Sequence, residues 1–135
     1  MNFKTTIAIV SALGISAAAF AADTDKLPPA STQTGVTYDK DIKPIFENSC
    51  VKCHGEQKPK GKLRLDSLAG VLKGGGDGKV VVPGNSAKSQ LVLSVAHVGD
   101  DDETYMPPPK NKAGIKQLTP EQIGLIRAWI DQGAK

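Results

Sequence analysis

Three stretches of the chain carry apolar residues at helical spacing. In residues 37–50, Ile42, Ile45, Phe46 and Cys50 recur at i, i+3, i+4 and i+8, which is one face of an α-helix. Pro44 is tolerated only in a first turn, so Asp41 is the expected N-cap. A second helix is predicted from Ser86, as N-cap, to about His97, with Leu91, Val92 and Val95 on its apolar face. The third is the best signalled. Thr119 is the N-cap, Pro120 sits at the first helical position, and Gln122 completes a capping box. Leu118 and Ile123 form the hydrophobic staple around it. Ile123, Ile126 and Ile130 make one stripe, Leu125 and Trp129 an adjoining one, and Gly133 closes the helix. Gly124 costs helix stability relative to alanine, which its use for close approach of another helix would explain.

The intervening segments lack that period. Residues 22–36, with Pro28, Pro29, Ser31, Thr32 and Gly35, read as a flexible lead-in, either a tether or a tail without function. Residues 55–62 form a charged loop. Leu63 and Leu65 alternate with polar neighbours and predict a short extended piece, as do residues 80–82 before Pro83-Gly84. Gly74-Gly75-Gly76-Asp77-Gly78-Lys79 fails as a phosphate loop, because Lys73 stands where a glycine is required and Val80 where Ser or Thr is required. It is read as a flexible turn. Gly99-Asp100-Asp101-Asp102-Glu103 is an acidic surface loop.

The N-terminus carries Lys4, an apolar run over residues 7–20, and the Ala19-Phe20-Ala21 cleavage pattern of a secretory signal. The run is shorter than the ~20 residues of a spanning helix. The expectation is a signal peptide at 1–21 and a mature protein without a membrane span, periplasmic or secreted.

Composition narrows the picture. The chain has 135 residues, enough for one small domain, and aromatic residues make up 4% of it. So small an aromatic content is easier to understand if a large flat cofactor fills the centre. The net charge of +3 falls to +2 once Lys4 leaves with the signal, which does not suggest nucleic acid.

The chemistry is concentrated in Cys50-Val51-Lys52-Cys53-His54, a C-x-x-C-H haem-attachment signature. Two thiols one helical turn apart reach the vinyl groups of one porphyrin edge, and His54 falls under the iron as proximal ligand. A thioredoxin-like dithiol would want a strand before the motif, and a helical pattern precedes it. A zinc site needs four ligands, but the chain has two cysteines and two histidines, with His54 pinned beside Cys53. A disulfide across two residues would be strained and would leave His54 unexplained. Both cysteines lie in the motif, so no disulfide framework remains. Export fits the haem, because c-type attachment is made outside the bacterial cytoplasm.

Met106, the one methionine left after signal removal, sits in Tyr105-Met106-Pro107-Pro108-Pro109. A thioether is a soft neutral ligand suited to haem iron, and the prolines stiffen its loop. The alternative is a gap-filling core methionine. Lys52, Lys58, Lys60, Lys62 and Arg64 cluster near the motif, either as a docking patch or as a solvated surface. Arg64 is a candidate partner for a haem propionate or an exposed arginine.

With these pieces placed, the chain resembles a small single-haem cytochrome c, and more narrowly the planctomycete-type cytochrome c domain. The resemblance rests on residues 50–55, the Gly-rich turn into Val81-Val82-Pro83-Gly84, Ser89 with Leu91, Met106-Pro107-Pro108, and residues 118–134 with their Trp129-Ile130-Asp131-Gln132-Gly133-Ala134 ending. It covers residues 37–135, the expected cytochrome c domain. It implies a mainly α fold, with the N- and C-terminal helices packed around one covalently attached haem c. It further implies attachment at Cys50 and Cys53, axial ligation by His54 and Met106, and electron transfer to separate redox protein partners rather than catalysis. The alternative is a haem enzyme or gas sensor with an open or labile distal position. For that, only His97 competes with Met106, and an ordinary helix-end histidine is the simpler reading of it.

Overall fold

The computed structural model describes residues 24–135. The expected signal peptide at 1–21 lies outside them. Five α-helices are present among the described residues: α1, Lys43–Ser49; α2, Val51–His54; α3, Leu68–Lys73; α4, Gln90–Ala96; and α5, Pro120–Asp131. No strand ladder forms among these residues. The segments at Leu63, Leu65 and 80–82 stay outside any sheet, and the one isolated bridge, Gly75 with Gly78, closes the glycine turn.

The first apolar face behaves as its spacing predicts. Ile42, Ile45, Phe46 and Cys50 are all buried. Its start differs from expectation. A π-helical turn, Tyr38–Ile42, precedes α1, and the Lys43 N–H donates to the Tyr38 carbonyl. Pro44 supplies the reason: it has no N–H for the Lys40 carbonyl and its ring crowds that oxygen, so the helix widens just before it. Asp41 is therefore inside the turn rather than its N-cap. Its carboxylate reaches back to accept from the Thr37 N–H at 2.9 Å, and that bond holds the carboxyl below the usual range.

At the other end, α5 has the predicted capping box: the Gln122 N–H donates to Thr119 Oγ1 and the Thr119 N–H to Gln122 Oε1. The stripe Ile123, Ile126, Ile130 and the neighbouring Trp129 are buried. The two ends of the domain meet in an aromatic cluster. The Tyr38 ring lies 6.1 Å from Phe46, nearly edge-on, and 6.0 Å from Trp129. One carbonyl, that of Lys135, accepts from both the Tyr38 N–H and Trp129 Nε1 at 2.9 Å. The Tyr38 hydroxyl donates to the Leu65 carbonyl, and burial pushes its pKa up to about 12.

Two expectations are corrected at α5. The lead-in is not loose over its described part: Leu27 and Val36 are buried, and residues 28–36 lie along α5. Arg127 donates to the Pro28 carbonyl, the Ser31 N–H to Gly124, and Gln132 bonds both Gln33 and Val36. The close approach at Gly124 is thus made by this extended segment and not by a helix. A Cβ at Gly124 would stand 2.6 Å from the Pro29 carbonyl oxygen. Overpacking costs about 1–3 kcal/mol, and a backbone contact puts this site near the top of that range. Helix propensity returns roughly 1 kcal/mol. Gly124→Ala is accordingly expected to lower stability to urea by about 1–2 kcal/mol; an unfolding midpoint at or above wild type would show that the segment yields.

Ser86 is not the cap of the second predicted helix. Asn85 caps the short turn Ser86–Lys88, and Ser89 stands at the N-cap of α4. Ser86 is instead buried against α5, with its N–H and hydroxyl bonded to Asp131 at 2.7 and 2.9 Å and its oxygen accepting from Arg127. A side chain 45 residues away outcompetes the local cap. The helix does end at His97. Helix α3 lies outside the three predicted helices; Ser67 caps it through the Gly70 N–H and Gly74 ends it at φ 84°.

Candidate functional site

Helix α2 carries the C-x-x-C-H motif within a single turn. The His54 N–H donates to the Cys50 carbonyl at 2.9 Å, so Cys50, Cys53 and His54 are fixed relative to one another by backbone alone. The His54 ring is set by its surroundings. Nδ1 lies 3.2 Å from the Leu63 carbonyl. A carbonyl only accepts, so Nδ1 carries the proton and Nε2 keeps its lone pair. Burial holds the ring below its ordinary pKa, which favours the neutral form a metal ligand needs.

All three side chains line one cavity of about 1000 Å³, at the top of the ~300–1,000 Å³ range of cofactor sites. Leu63, Leu65, Leu91 and Val95 give it apolar walls. Met106 lines the same cavity from a loop more than fifty residues downstream. Its N–H donates to the Ser94 carbonyl at 3.0 Å, and the Met106–Pro107 bond is cis. The four residues singled out from sequence are therefore gathered at one site. His97 is not: it lines a separate, smaller cavity of about 360 Å³ behind Pro107.

The glycine turn closes part of the wall. Gly75, Gly76 and Gly78 line the cavity, and the Gly76 N–H donates to Gly61 at 2.8 Å, locking two turns together. The turn serves packing and not phosphate. The lysines at the cavity differ in part from those expected. Lys60 is there, but so are Lys79, Lys110 and Lys112, all exposed, with Asp77 the one carboxylate among the lining residues. Proximity in sequence to the motif missed the last three, which arrive from the glycine turn and the loop after Met106. Arg64 is not among the lining residues. It makes a bidentate pair with Asp66 at 3.0 and 2.7 Å and approaches Glu56.

The site's chemistry argues against a redox dithiol. Burial, with Cys53 beside it, pushes the Cys50 thiol up to about 12, whereas a reactive C-x-x-C cysteine needs a lowered pKa. No group of three or more His, Cys, Asp or Glu suited to a metal ion occurs among the described residues. What fits instead is a large flat group: a cavity of the right scale, two free thiols on its wall, an imidazole with a free Nε2 lone pair, and a thioether.

A mainly helical domain around such a cavity is consistent with a cytochrome c-like fold. Residues 50–110 match the family model described as Planctomycete cytochrome C. Over that span, which starts at Cys50 and runs just past the Met106 loop, the chain resembles the planctomycete-type cytochrome c domain. No curated protein and no solved structure matched the chain. The resemblance points to haem c as cofactor and to haem-based electron transfer as the class of function. Domains of this type are typically extracytoplasmic, and no helix among the described residues is long and apolar enough to cross a membrane.

Proposed function

We propose that the protein is an exported electron-transfer protein carrying one haem c, with Cys50 and Cys53 as attachment points and His54 and Met106 as axial ligands. The observation that carries this reading is the convergence of Cys50, Cys53, His54 and Met106 on one cavity of about 1000 Å³. A bound haem c supplies a one-electron ferric/ferrous couple. The Leu63 carbonyl holds the His54 ring in the tautomer that directs Nε2 to a metal, as outer partners of metal-bound histidines do. The Met106 sulfur is soft and neutral, and its loop is tied to α4 through Ser94. With both residues on the iron no coordination position would be left for a substrate, which would separate this function from that of a haem enzyme or gas sensor.

The ferric absorption spectrum is the direct test. A low-spin spectrum with a methionine–iron charge-transfer band at the red end is expected. A high-spin spectrum would support the open-site alternative.

The partner of such a protein is a separate redox protein, and the exposed Lys60, Lys79, Lys110 and Lys112 at the cavity favour an acidic one. Its association rate with this protein is expected to fall as salt rises. Lys60→Glu together with Lys110→Glu is expected to slow reduction by such a partner about tenfold or more at low salt. Stopped-flow rates indifferent to both changes would reduce the lysines to a solvated surface.

A further inference from the structure

Position 97 carries two local costs. His97 closes α4 in the left-handed conformation, φ 53° and ψ 46°, which residues other than glycine and asparagine adopt reluctantly. Its Nε2 is also buried without a hydrogen-bond partner, a state buried polar atoms usually avoid. Such costs persist where the surroundings impose them, often beside a functional group. What the imidazole does make is a ring stack on Tyr105, with centroids 4.7 Å apart and planes 10° from parallel.

Tyr105 directly precedes Met106. Its hydroxyl donates to the Gly99 carbonyl at 2.7 Å, and the Met106 N–H donates to the Ser94 carbonyl at 3.0 Å. The peptide between residues 105 and 106 is therefore held from three points at the C-terminal end of α4: Ser94, His97 and Gly99. The backbone bond fixes where the chain passes. The stack and the hydroxyl fix the Tyr105 side chain and, with it, the rotation of the chain entering Met106.

We propose that His97, through its stack on Tyr105, is a positioning residue that holds the Met106 sulfur at the cavity. This rests on the reading of Met106 as an axial ligand. His97 lines the smaller cavity and is not among the residues that line the one with Met106. Without the stack, Met106 would still line the cavity but would be loosely held, and its sulfur would leave a bound haem iron more often.

The experiment uses the ferric holoprotein and measures how fast added imidazole replaces the sulfur ligand, alongside the intensity of the methionine–iron band. His97→Asn removes the ring yet tolerates the left-handed backbone, so folding is preserved; thermal unfolding checks this. Tyr105→Ala removes the other ring, and His97→Phe keeps a ring without the nitrogens. His97→Asn and Tyr105→Ala are expected to bind imidazole about three- to tenfold faster, the factor an aromatic pair supplies. His97→Phe is expected to stay within about twofold of wild type. Wild-type rates in both ring-deleted variants would overturn the proposal, as would a His97→Phe as fast as His97→Asn. Met106→Ala distinguishes the two levels. If it too leaves the rate unchanged, the ligand reading fails and takes this proposal with it. If it responds while His97→Asn does not, only the positioning role falls.

Discussion

Acid–acetone extraction of the denatured protein is expected to leave the haem on the polypeptide, and the double variant Cys50→Ala, Cys53→Ala to lose essentially all of it. On the proposed ligation, coordination bonds from His54 and Met106 would not survive denaturation in acid, because protonation of the imidazole and unfolding of the cavity would remove both. Carbon–sulfur bonds do survive. The assay therefore reads covalent attachment separately from axial ligation. Each single variant keeps one thiol on the same turn of α2 and is expected to retain haem in reduced yield. The chain has no other cysteine, so no dithiol remains in any of these variants. The same assay tests export: a chain lacking residues 1–21 is expected to stay in the cytoplasm without covalent haem. Intact haem extracted from the wild type would end the attachment reading.

Met106→Ala is expected to convert low-spin ferric iron to high spin and to admit carbon monoxide to the ferrous form and cyanide to the ferric form. Met106→His is expected to stay low-spin with a lower midpoint potential. A neutral thioether favours ferrous iron relative to a second imidazole. Axial ligands and their surroundings span about 0.8 V across haem proteins, so a shift on the order of 100 mV or more is anticipated. The rival assignment, His97 as distal ligand, reverses the pattern: losing His97 would open the iron, and Met106→Ala would be spectrally quiet. The geometry favours Met106, which lines the large cavity with Cys50, Cys53 and His54, while His97 does not. Midpoint and spin state of these variants decide the matter, and a quiet Met106→Ala would remove it from the axial position.

Much of the site is legible in the sequence because its parts are local or chemically scarce. Two thiols and an imidazole within five residues have few joint uses, and the chain offers no other cysteine and little other sulfur. The N-cap at Asp41 failed for a reason also written locally, in Pro44, but it required knowing that the helix would widen there and not simply begin. Helix α3 was missed although Ser67, Leu68, Val71, Leu72 and Gly74 carry a cap, a short apolar period and a terminator. A six-residue helix offers too little repetition to stand out from the loops around it.

By itself the sequence determined the attachment motif, the helical faces through Phe46 and Ile126, and the capping box at Thr119, because each depends on residues within a turn or two of one another. Only the tertiary structure decided that residues 28–36 lie along α5, that Gly124 is small to admit the Pro29 carbonyl, and that Ser86 turns from capping to Asp131. It also decided that Lys79, Lys110 and Lys112 join Lys60 at the cavity, and that His97 stacks on Tyr105. Most of those pairings join segments far apart along the chain, and the His97 stack depends on a left-handed turn. Their energies depend on which surfaces collapse together, and no local hydrogen-bond pattern or hydrophobic period encodes that choice.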